Sequence, residues 1–309
     1  MKPVAKKRVA VLMGGFSAER EVSLSSAEGA IKALESLGHD VRPIDVTRDI
    51  AKLIQDLTPK PDVVVNILHG RWGEDGCVQG FLEMMDIPYT HSGVLASAIA
   101  MNKVYGRHMC EKSGIQVPPG KVVTLEDFKK GDPFPRPYVI KPIGEGSSVG
   151  VHIVREKDNY LPTEDNWTFG SEVLVEKYIP GREIQVAVIG GKAIGAIEIR
   201  PKNGFYDYEA KYTDGKADHL MPAPIHPEAY AKVMQMAEDA HRILGCKGVS
   251  RSDFRYDDTK GKPGEMYFLE LNSQPGMTPL SLVPEIAAYH GITYPQLMQW
   301  MVEDATCHR

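Results

Sequence analysis

The chain has 309 residues, 42% of them hydrophobic, and a formal net charge of −5 at pH 7. This length allows a sizeable buried core and two or three domains. Nucleic acid is not an expected partner, because neutralising phosphates requires a clustered excess of lysine and arginine. No apolar run approaches the roughly 20 residues that cross a bilayer, and the four cysteines lack zinc or CxxC spacing. These features predict a cytoplasmic protein with reduced thiols, no membrane contact and small-molecule partners.

The first 70 residues alternate between strand and helix signals. Strands are predicted at 8–13, 41–46 and 62–68, with helices after Gly14-Gly15 and around 50–57. Ser25 and Glu28 have capping-box spacing. The alternation predicts a doubly wound α/β unit with a parallel sheet, in which ligands bind beyond the carboxyl ends of the strands. Gly14-Gly15 and the segment HGRWGEDG at 69–76 both fall at that edge.

The pattern changes after about residue 96. Strands are predicted at 138–142 and 149–155, and strands at 184–189 and 192–199 flank Gly190-Gly191, a two-residue hairpin signal. The polar stretch 202–224 is long for a structureless loop and predicts a lid. A helix from Pro227 to about 244, strands at 248–257 and 265–272, and a helix beginning near Ser281 complete the chain.

Lys141 stands at a strand end, just before the glycine- and serine-rich turn 144–150. Exposed backbone N–H groups, two hydroxyls and an ammonium group suit a polyphosphate. A Walker A loop or a Rossmann fingerprint would open a helix. A strand follows here instead, which favours a flap over nucleotide phosphates. A simple glycine hairpin explains these residues equally well.

Two strands near the C-terminus carry polar side chains at alternate positions. Arg251 and Asp253 share a face of one strand, as do Glu270 and Asn272 on the other. Three oxygen ligands without His or Cys favour magnesium, which binds through a few carboxylates and substrate phosphates. The alternative is the polar face of a half-exposed sheet. Glu270 argues against that alternative, since alternation places it on one face with apolar Phe268.

Two further segments are open to two interpretations. The turn 272–278 has backbone N–H groups that suit a carboxylate or an oxyanion, and an ordinary turn explains it equally well. His69 follows a strand end beside Gly70, where a role in the site and a structural role are equally plausible.

In chain order, these segments resemble the D-alanine:D-alanine ligases of the ATP-grasp superfamily over essentially the whole chain. The matching stretches are 14–23, 69–76, 145–150, YDYEAKY at 206–212, 251–253 and 270–278. Any one could occur by chance, whereas six in this order are highly specific. Trp72 is a departure, because many members have a small residue there.

The resemblance implies an ATP-grasp fold, α/β and α+β, with an N-terminal α/β domain at 1–96, a central subdomain at 97–183 and a C-terminal substrate domain at 184–309. It implies ATP-dependent joining of two D-alanines through an acylphosphate, with release of ADP and phosphate, for peptidoglycan synthesis. Magnesium, replaceable by manganese, is the expected cofactor and a homodimer the expected assembly. The alternatives are a D-alanine:D-lactate ligase, another ATP-grasp carboxylate-amine ligase, or a nucleotide-binding module without chemistry.

The resemblance also assigns residues to the nucleotide and the metal. Those expected to bind ATP phosphates are Lys103 and Lys141. Those expected at the adenine and ribose are Glu176, Lys177, Ile179 and Glu183. The expected magnesium ligands are Asp253, Glu270 and Asn272.

The remaining assignments concern the two amino-acid substrates. Glu19 is similar to the residue that receives the first ammonium group, linked through Ser147 to Tyr212, and His69 would lie beside the first substrate. The groups expected to stabilise the tetrahedral oxyanion are Arg251 and the N–H of Gly276. Those expected to hold the second carboxylate are Ser281 and the N–H of Leu282. Lys211 would reach the transferred phosphate from the lid.

Overall fold

The computed structural model of the chain describes residues 5–146, 150–158, 162–164, 167, 170–202, 215–278 and 281–309. The strands in these ranges form three sheets: one parallel sheet near the N-terminus and two antiparallel sheets after it.

The N-terminal sheet is parallel, with strand order β2-β1-β3. Its strands are β1 (Arg8–Gly14), β2 (Asp40–Val46) and β3 (Val63–Asn66). Its helices are α1 (Arg20–Ser36), α2 (Ile50–Asp56) and α3 (Cys77–Met84). Val9 and Val11 pack in one core with α1, whereas the alternate residues Ala10 and Leu12 pack in another with α2 and α3. Helices therefore cover both faces, which confirms the doubly wound prediction.

The start of α1 differs from the spacing seen in the sequence. α1 begins at Arg20, so Ser25 lies inside the helix and a capping box with Glu28 is wrong. Ser23, which also lies inside this helix, makes two tertiary hydrogen bonds. Its buried hydroxyl accepts from the Gly14 N–H at 2.9 Å and donates to the Ile67 carbonyl at 2.7 Å. It thereby joins two loops at the carboxyl edge of the sheet.

The central sheet is antiparallel, with strand order β4-β7-β5-β6. Its elements are β4 (Gly120–Val123), α6 (Leu125–Lys129), β5 (Tyr138–Pro142), β6 (His152–Val154) and β7 (Val173–Lys177). The predicted strand 149–155 is shorter than expected, and Val149 lies outside the described residues. β7 was not predicted, although it lies in the middle of the sheet.

The C-terminal sheet has strand order β10-β9-β8-β11-β12 and is antiparallel throughout. Its strands are β8 (Arg182–Ile189), β9 (Lys192–Pro201), β10 (Ala217–Leu220), β11 (Val249–Asp257) and β12 (Glu265–Asn272). Gly190 and Gly191 have φ of 58° and 79°, as the predicted hairpin between β8 and β9 requires. Most of the predicted lid, residues 203–214, lies outside the described residues.

Helices cover both faces of the C-terminal sheet. The helices on one face are α4 (Val94–Met101), α5 (Lys103–Lys112) and α7 (Pro227–Ile243). Those on the other are α8 (Leu282–Tyr289) and α9 (Tyr294–Asp304). Because α9 also packs against α1, the N-terminal and C-terminal sheets share one hydrophobic core. The domain boundaries near 96 and 183 stay predictions.

A register shift between β11 and β12 changes which residues face the core. Asp253 lies opposite Glu270, but Phe254 lies opposite Phe268, so Leu269 is left without a partner, as in a β-bulge. The rings of Phe254 and Phe268 are 5.7 Å apart in the core. The expectation that Phe268 shares a face with Glu270 is therefore wrong, because the extra residue interrupts strict alternation.

Candidate active site

Two adjoining cavities hold the predicted site residues. The smaller, of about 80 Å³, is lined by Glu19, His69, Arg251, Asn272, Gly276, Ser281 and Leu282. The larger, of about 560 Å³, is lined by Lys141, Glu176, Lys177, Ile179, Glu183 and Asp253. Lys103 and Glu270 line both cavities. Three predicted residues, Ser147, Lys211 and Tyr212, lie outside the described residues. The structure brings the others together, while their individual roles stay predictions.

The floor between the cavities is made by paired residues of β11 and β12. Arg251 lies opposite Asn272, and Asp253 lies opposite Glu270. Directly opposed residues of antiparallel strands point to the same face. The Arg251 guanidinium forks onto Asp253, with Nε 2.8 Å from Oδ1 and Nη2 3.0 Å from Oδ2. Two carboxylates, one carboxamide and one guanidinium are thus presented side by side.

This donor set fits magnesium. It contains oxygen ligands alone, and magnesium commonly keeps water and substrate phosphates as further ligands. Among the described residues, no group of three or more His, Cys, Asp or Glu side chains is placed to hold a metal. The set of Asp253, Glu270 and Asn272 has two carboxylates, so phosphate oxygens would have to complete the coordination.

Lys103 connects the loop that follows β5 with strand β12. It is the first residue of α5, whose N-cap Asn102 accepts from the N–H groups of Val104 and Tyr105. From there its Nζ lies 3.0 Å from Glu270 Oε2 and donates to the Glu145 carbonyl at 2.5 Å. The ammonium group therefore lies between Glu145, in the glycine- and serine-rich turn, and the Glu270 carboxylate, a position that suits a phosphate partner.

The larger cavity has the size and lining of a nucleotide site. Its volume falls within the range of about 300–1,000 Å³ that is typical of ligand pockets. Lys141 is paired with the buried carboxylate of Glu176 on the neighbouring strand β7. Glu183 accepts from Gln185 Nε2 at 3.0 Å. Leu269, at the bulge, also lines the cavity. Sequence patterns did not single it out, because a bulge leaves no periodic signal.

The opposite end of the site is built around Glu19 and His69. Glu19 is 8% exposed, and a side chain at Gly70 (φ 70°) would approach its carboxylate to 2.5 Å. His69 Nδ1 lies 3.1 Å from Glu74 Oε1, and Nε2 lies 3.4 Å from the Ser26 hydroxyl. Glu74 was not predicted as a functional residue, although it belongs to the recognised segment 69–76.

The turn after β12 leads to the N-terminus of α8. The Gln274 N–H donates to Asn272 Oδ1 at 3.0 Å and fixes that carboxamide. Gly276 faces Ser281, whose Oγ a Cβ at Gly276 would approach to 2.9 Å. Ser281 is the N-cap of α8, and its hydroxyl accepts from the Thr278 N–H at 2.9 Å. Backbone N–H groups at this helix start suit a carboxylate.

Two further features are the helix lengths and the cysteines. No helix among the described residues is long and apolar enough to cross a membrane. Cys77, Cys110, Cys246 and Cys307 are all free thiols.

Comparisons with known proteins identify relatives that cover nearly the whole chain. The D-ala D-ala ligase N-terminus family matches residues 51–92, and the D-ala D-ala ligase C-terminus family matches residues 109–303. A D-alanine–D-alanine ligase of Paramagnetospirillum magneticum is 56% identical over 97% of this chain and 99% of its own. A Bacillus anthracis D-alanine–D-alanine ligase solved with ATP is 32% identical, with a TM-score of 0.79 over 97% of each chain. VanG D-Ala:D-Ser ligase from Enterococcus faecalis is 28% identical, with a TM-score of 0.76 over 97% of this chain and 99% of its own.

Two antiparallel sheets lie beside a nucleotide-sized cleft and next to a doubly wound N-terminal layer. This combination defines an ATP-grasp protein. The chain belongs to the D-alanine:D-alanine ligase family. The fold class and the family expected from the sequence are both confirmed.

Proposed function

We propose that this chain joins two D-alanines into D-alanyl-D-alanine for peptidoglycan synthesis, converting ATP to ADP and phosphate. The carboxylate of the first D-alanine attacks the γ-phosphate, which gives an acylphosphate and ADP. The amine of the second then attacks the activated carbonyl, and phosphate leaves. Phosphorylation replaces a poor leaving group by a good one, and the site must hold both substrates together while it excludes water.

One observation carries this proposal: the paired register of Arg251 with Asn272 and of Asp253 with Glu270 at the junction of the two cavities. A binding module would not require a guanidinium beside a set of magnesium ligands. Magnesium, when bound by Asp253, Glu270 and Asn272, would neutralise charge on the transferred phosphoryl group.

The nucleotide would occupy the larger cavity. Lys103 and Lys141 would neutralise its phosphates, and Glu176, Lys177, Ile179 and Glu183 would contact adenine and ribose. The position of Lys103 supports its role, since its ammonium group lies 3.0 Å from the Glu270 carboxylate. The Lys103 ammonium group would attract the reacting phosphate to a position beside the carboxylates, next to the smaller cavity.

The amino acids would bind between the residues that line the smaller cavity. Glu19 would receive the first ammonium group, with His69 beside it. Arg251 and the Gly276 N–H would stabilise the oxyanion, and Ser281 with the Leu282 N–H would hold the second carboxylate. The roles of Ser147, Lys211 and Tyr212 rest on the family resemblance alone.

An ADP-release assay coupled to product identification tests the function. With ATP, magnesium and D-alanine, we expect ADP, phosphate and dipeptide in equal amounts, and no turnover with L-alanine. Competition between D-alanine, D-serine and D-lactate at pH 7 to 8 identifies the acceptor. Release of AMP and pyrophosphate contradicts the mechanism, and a dominant depsipeptide or D-alanyl-D-serine product contradicts the substrate assignment.

The same proposal includes a cytoplasmic homodimer. Free thiols and consumption of ATP suit the cytoplasm. Met84 on α3 and Leu95 on α4 are 90% and 71% exposed and stand on helices that contact each other, so a joint apolar patch there would suit a subunit contact. Sedimentation equilibrium measures the assembly directly, and a monomer at micromolar concentration contradicts the dimer.

A further inference from the structure

A pair of buried carboxamides connects the segments that hold the two substrates. Asn66, at the end of β3, and Gln274, in the turn after β12, are 0% and 1% exposed. Asn66 Nδ2 donates to Gln274 Oε1 at 2.8 Å, and Gln274 Nε2 donates to the Leu68 carbonyl. The Asn66–Gln274 bond joins residues 208 positions apart in the chain. It is therefore a tertiary connection and not part of a local turn.

On the C-terminal side, Gln274 lies midway between two groups of the proposed site. Its N–H donates to Oδ1 of the expected metal ligand Asn272 at 3.0 Å. Two residues later comes Gly276, the expected oxyanion donor. A shift of Gln274 would therefore move both the metal ligand and the oxyanion donor.

On the N-terminal side, the same carboxamides hold the first-substrate loop, which we define as residues 69–76. Leu68, whose carbonyl accepts from Gln274, directly precedes His69. Asn66 Nδ2 also donates to the Gly73 carbonyl at 3.0 Å, next to Glu74. Gln274 thus fixes the entry of the loop directly and its middle through Asn66.

We propose that Gln274 is a positioning residue that sets the spacing between the first-substrate loop and the turn 272–276. This inference rests on the proposed function. Attack of the second amine requires reacting atoms about 3–3.5 Å apart, and a displacement of about 1 Å costs on the order of 100-fold in rate. A carboxamide bonded on both sides holds that spacing, because buried hydrogen bonds tolerate little change in length or angle.

Gln79 offers a matched control. It is also fully buried, and its Nε2 donates to the same Gly73 carbonyl at 2.8 Å. It lies on α3, however, so its bond stays within the N-terminal layer and does not itself reach the turn after β12. A residue that merely satisfies buried polar groups would behave like Gln79.

The experiment compares Gln274→Met with Gln79→Met, which keep side-chain length and remove only the side-chain hydrogen bonds. We measure kcat, the KM for ATP, the melting temperature and amide exchange of the first-substrate loop. Both variants should melt at lower temperature. Gln274→Met alone should lose about 10- to 100-fold in kcat, with the KM for ATP changed less than about twofold, since Gln274 does not line the nucleotide cavity. Equal kcat losses in the two variants would overturn the proposal.

Asn66→Leu breaks the same bond from the other partner, and it replaces Gln274→Met if that variant does not fold. Adding Gln274→Met to Asn66→Leu should reduce kcat by a smaller factor than Gln274→Met does in the wild type, because the Asn66–Gln274 bond is already absent and only the bond to the Leu68 carbonyl remains to be lost. Fold-losses that multiply would contradict the connection. An inactive wild-type protein contradicts the proposed function, whereas an active wild type with Gln274→Met equal to Gln79→Met contradicts the positioning role alone.

Discussion

Asp253 and Glu270 lie directly opposite each other on β11 and β12, immediately before the register shift that leaves Leu269 unpaired. Up to this point the two strands present polar side chains to the cleft. Beyond it Phe254 and Phe268 pair in the core. The bulge is therefore the boundary between the proposed metal site and the hydrophobic support beneath it, and it places Leu269 next to Glu270 on the cleft side.

The first prediction concerns Glu270. Glu270→Gln keeps the shape of the side chain but removes one of two carboxylate charges that would offset magnesium. We expect turnover to fall by at least about 100-fold and the magnesium concentration for half-maximal activity to rise. Glu265→Gln, at the exposed start of the same strand, is the control and should stay near wild type. Near-normal activity of Glu270→Gln at unchanged magnesium dependence would place the metal elsewhere.

Arg251 is expected to act through its planar fork. Replacement by Lys keeps a positive charge beside Asp253 but cannot reproduce the two bonds at 2.8 and 3.0 Å. Turnover should fall on the order of 100-fold or more, the scale of one lost oxyanion donor. Steady-state kinetics against Arg242→Lys, an exposed arginine on α7, measures the effect. Wild-type turnover in Arg251→Lys would remove Arg251 from oxyanion stabilisation.

Burial of His91 should make the free energy of unfolding depend on pH. Its ring is fully buried, and burial lowers its pKa to about 3 from 6.5. The unfolded chain therefore binds this proton more readily than the folded chain between those values. The contribution of neutral His91 to the free energy of unfolding is fully present above about pH 6.5. It is lost as pH falls toward 3, with a slope of up to about 1.4 kcal/mol per pH unit.

Urea unfolding of His91→Asn between pH 4 and 8 checks this slope. Asparagine tolerates the left-handed backbone at this position, where φ is 69°. The variant should lose part of the pH dependence, whereas His308→Asn, at an exposed histidine, should keep it. An unchanged slope in His91→Asn would show that other groups cause the acid sensitivity.

Local patterns predicted the parts of the fold that local geometry determines. The Gly190-Gly191 hairpin, β1 and α7 follow from turn chemistry and periodicity in short windows. The strand β7 was missed, although Val173–Val175 is a short apolar run, because such a run alone does not distinguish a strand from a buried helix segment.

Site residues that lie within recognised sequence segments were predicted. Contacts between residues far apart in the chain were predicted much less well. Glu270 and Asp253 were found from alternation within each strand. The partnership of Gln274 with Asn66 was not, because it links positions 208 residues apart and no local pattern relates the two residues. The bulge at Leu269 was missed for a related reason: one extra residue is defined by its partner strand, not by its own sequence.

The last prediction separates two roles of Lys141. Its ammonium group pairs with Glu176, whose side chain is 2% exposed. Lys141→Met leaves that carboxylate buried without its cation, which should lower the free energy of unfolding by about 3–5 kcal/mol.

The double variant Lys141→Met with Glu176→Gln removes the uncompensated charge, so much of the stability measured by urea unfolding should return. ATP affinity should stay weak in both variants, because the cation beside the phosphates is missing in each, and Glu176→Gln alone measures how much of the loss comes from the Glu176 contact with adenine or ribose. Calorimetric titration with ATP and magnesium measures that affinity. Recovery of ATP binding together with stability would show that Lys141 supports the nucleotide site only by neutralising Glu176, and would exclude direct phosphate binding by Lys141.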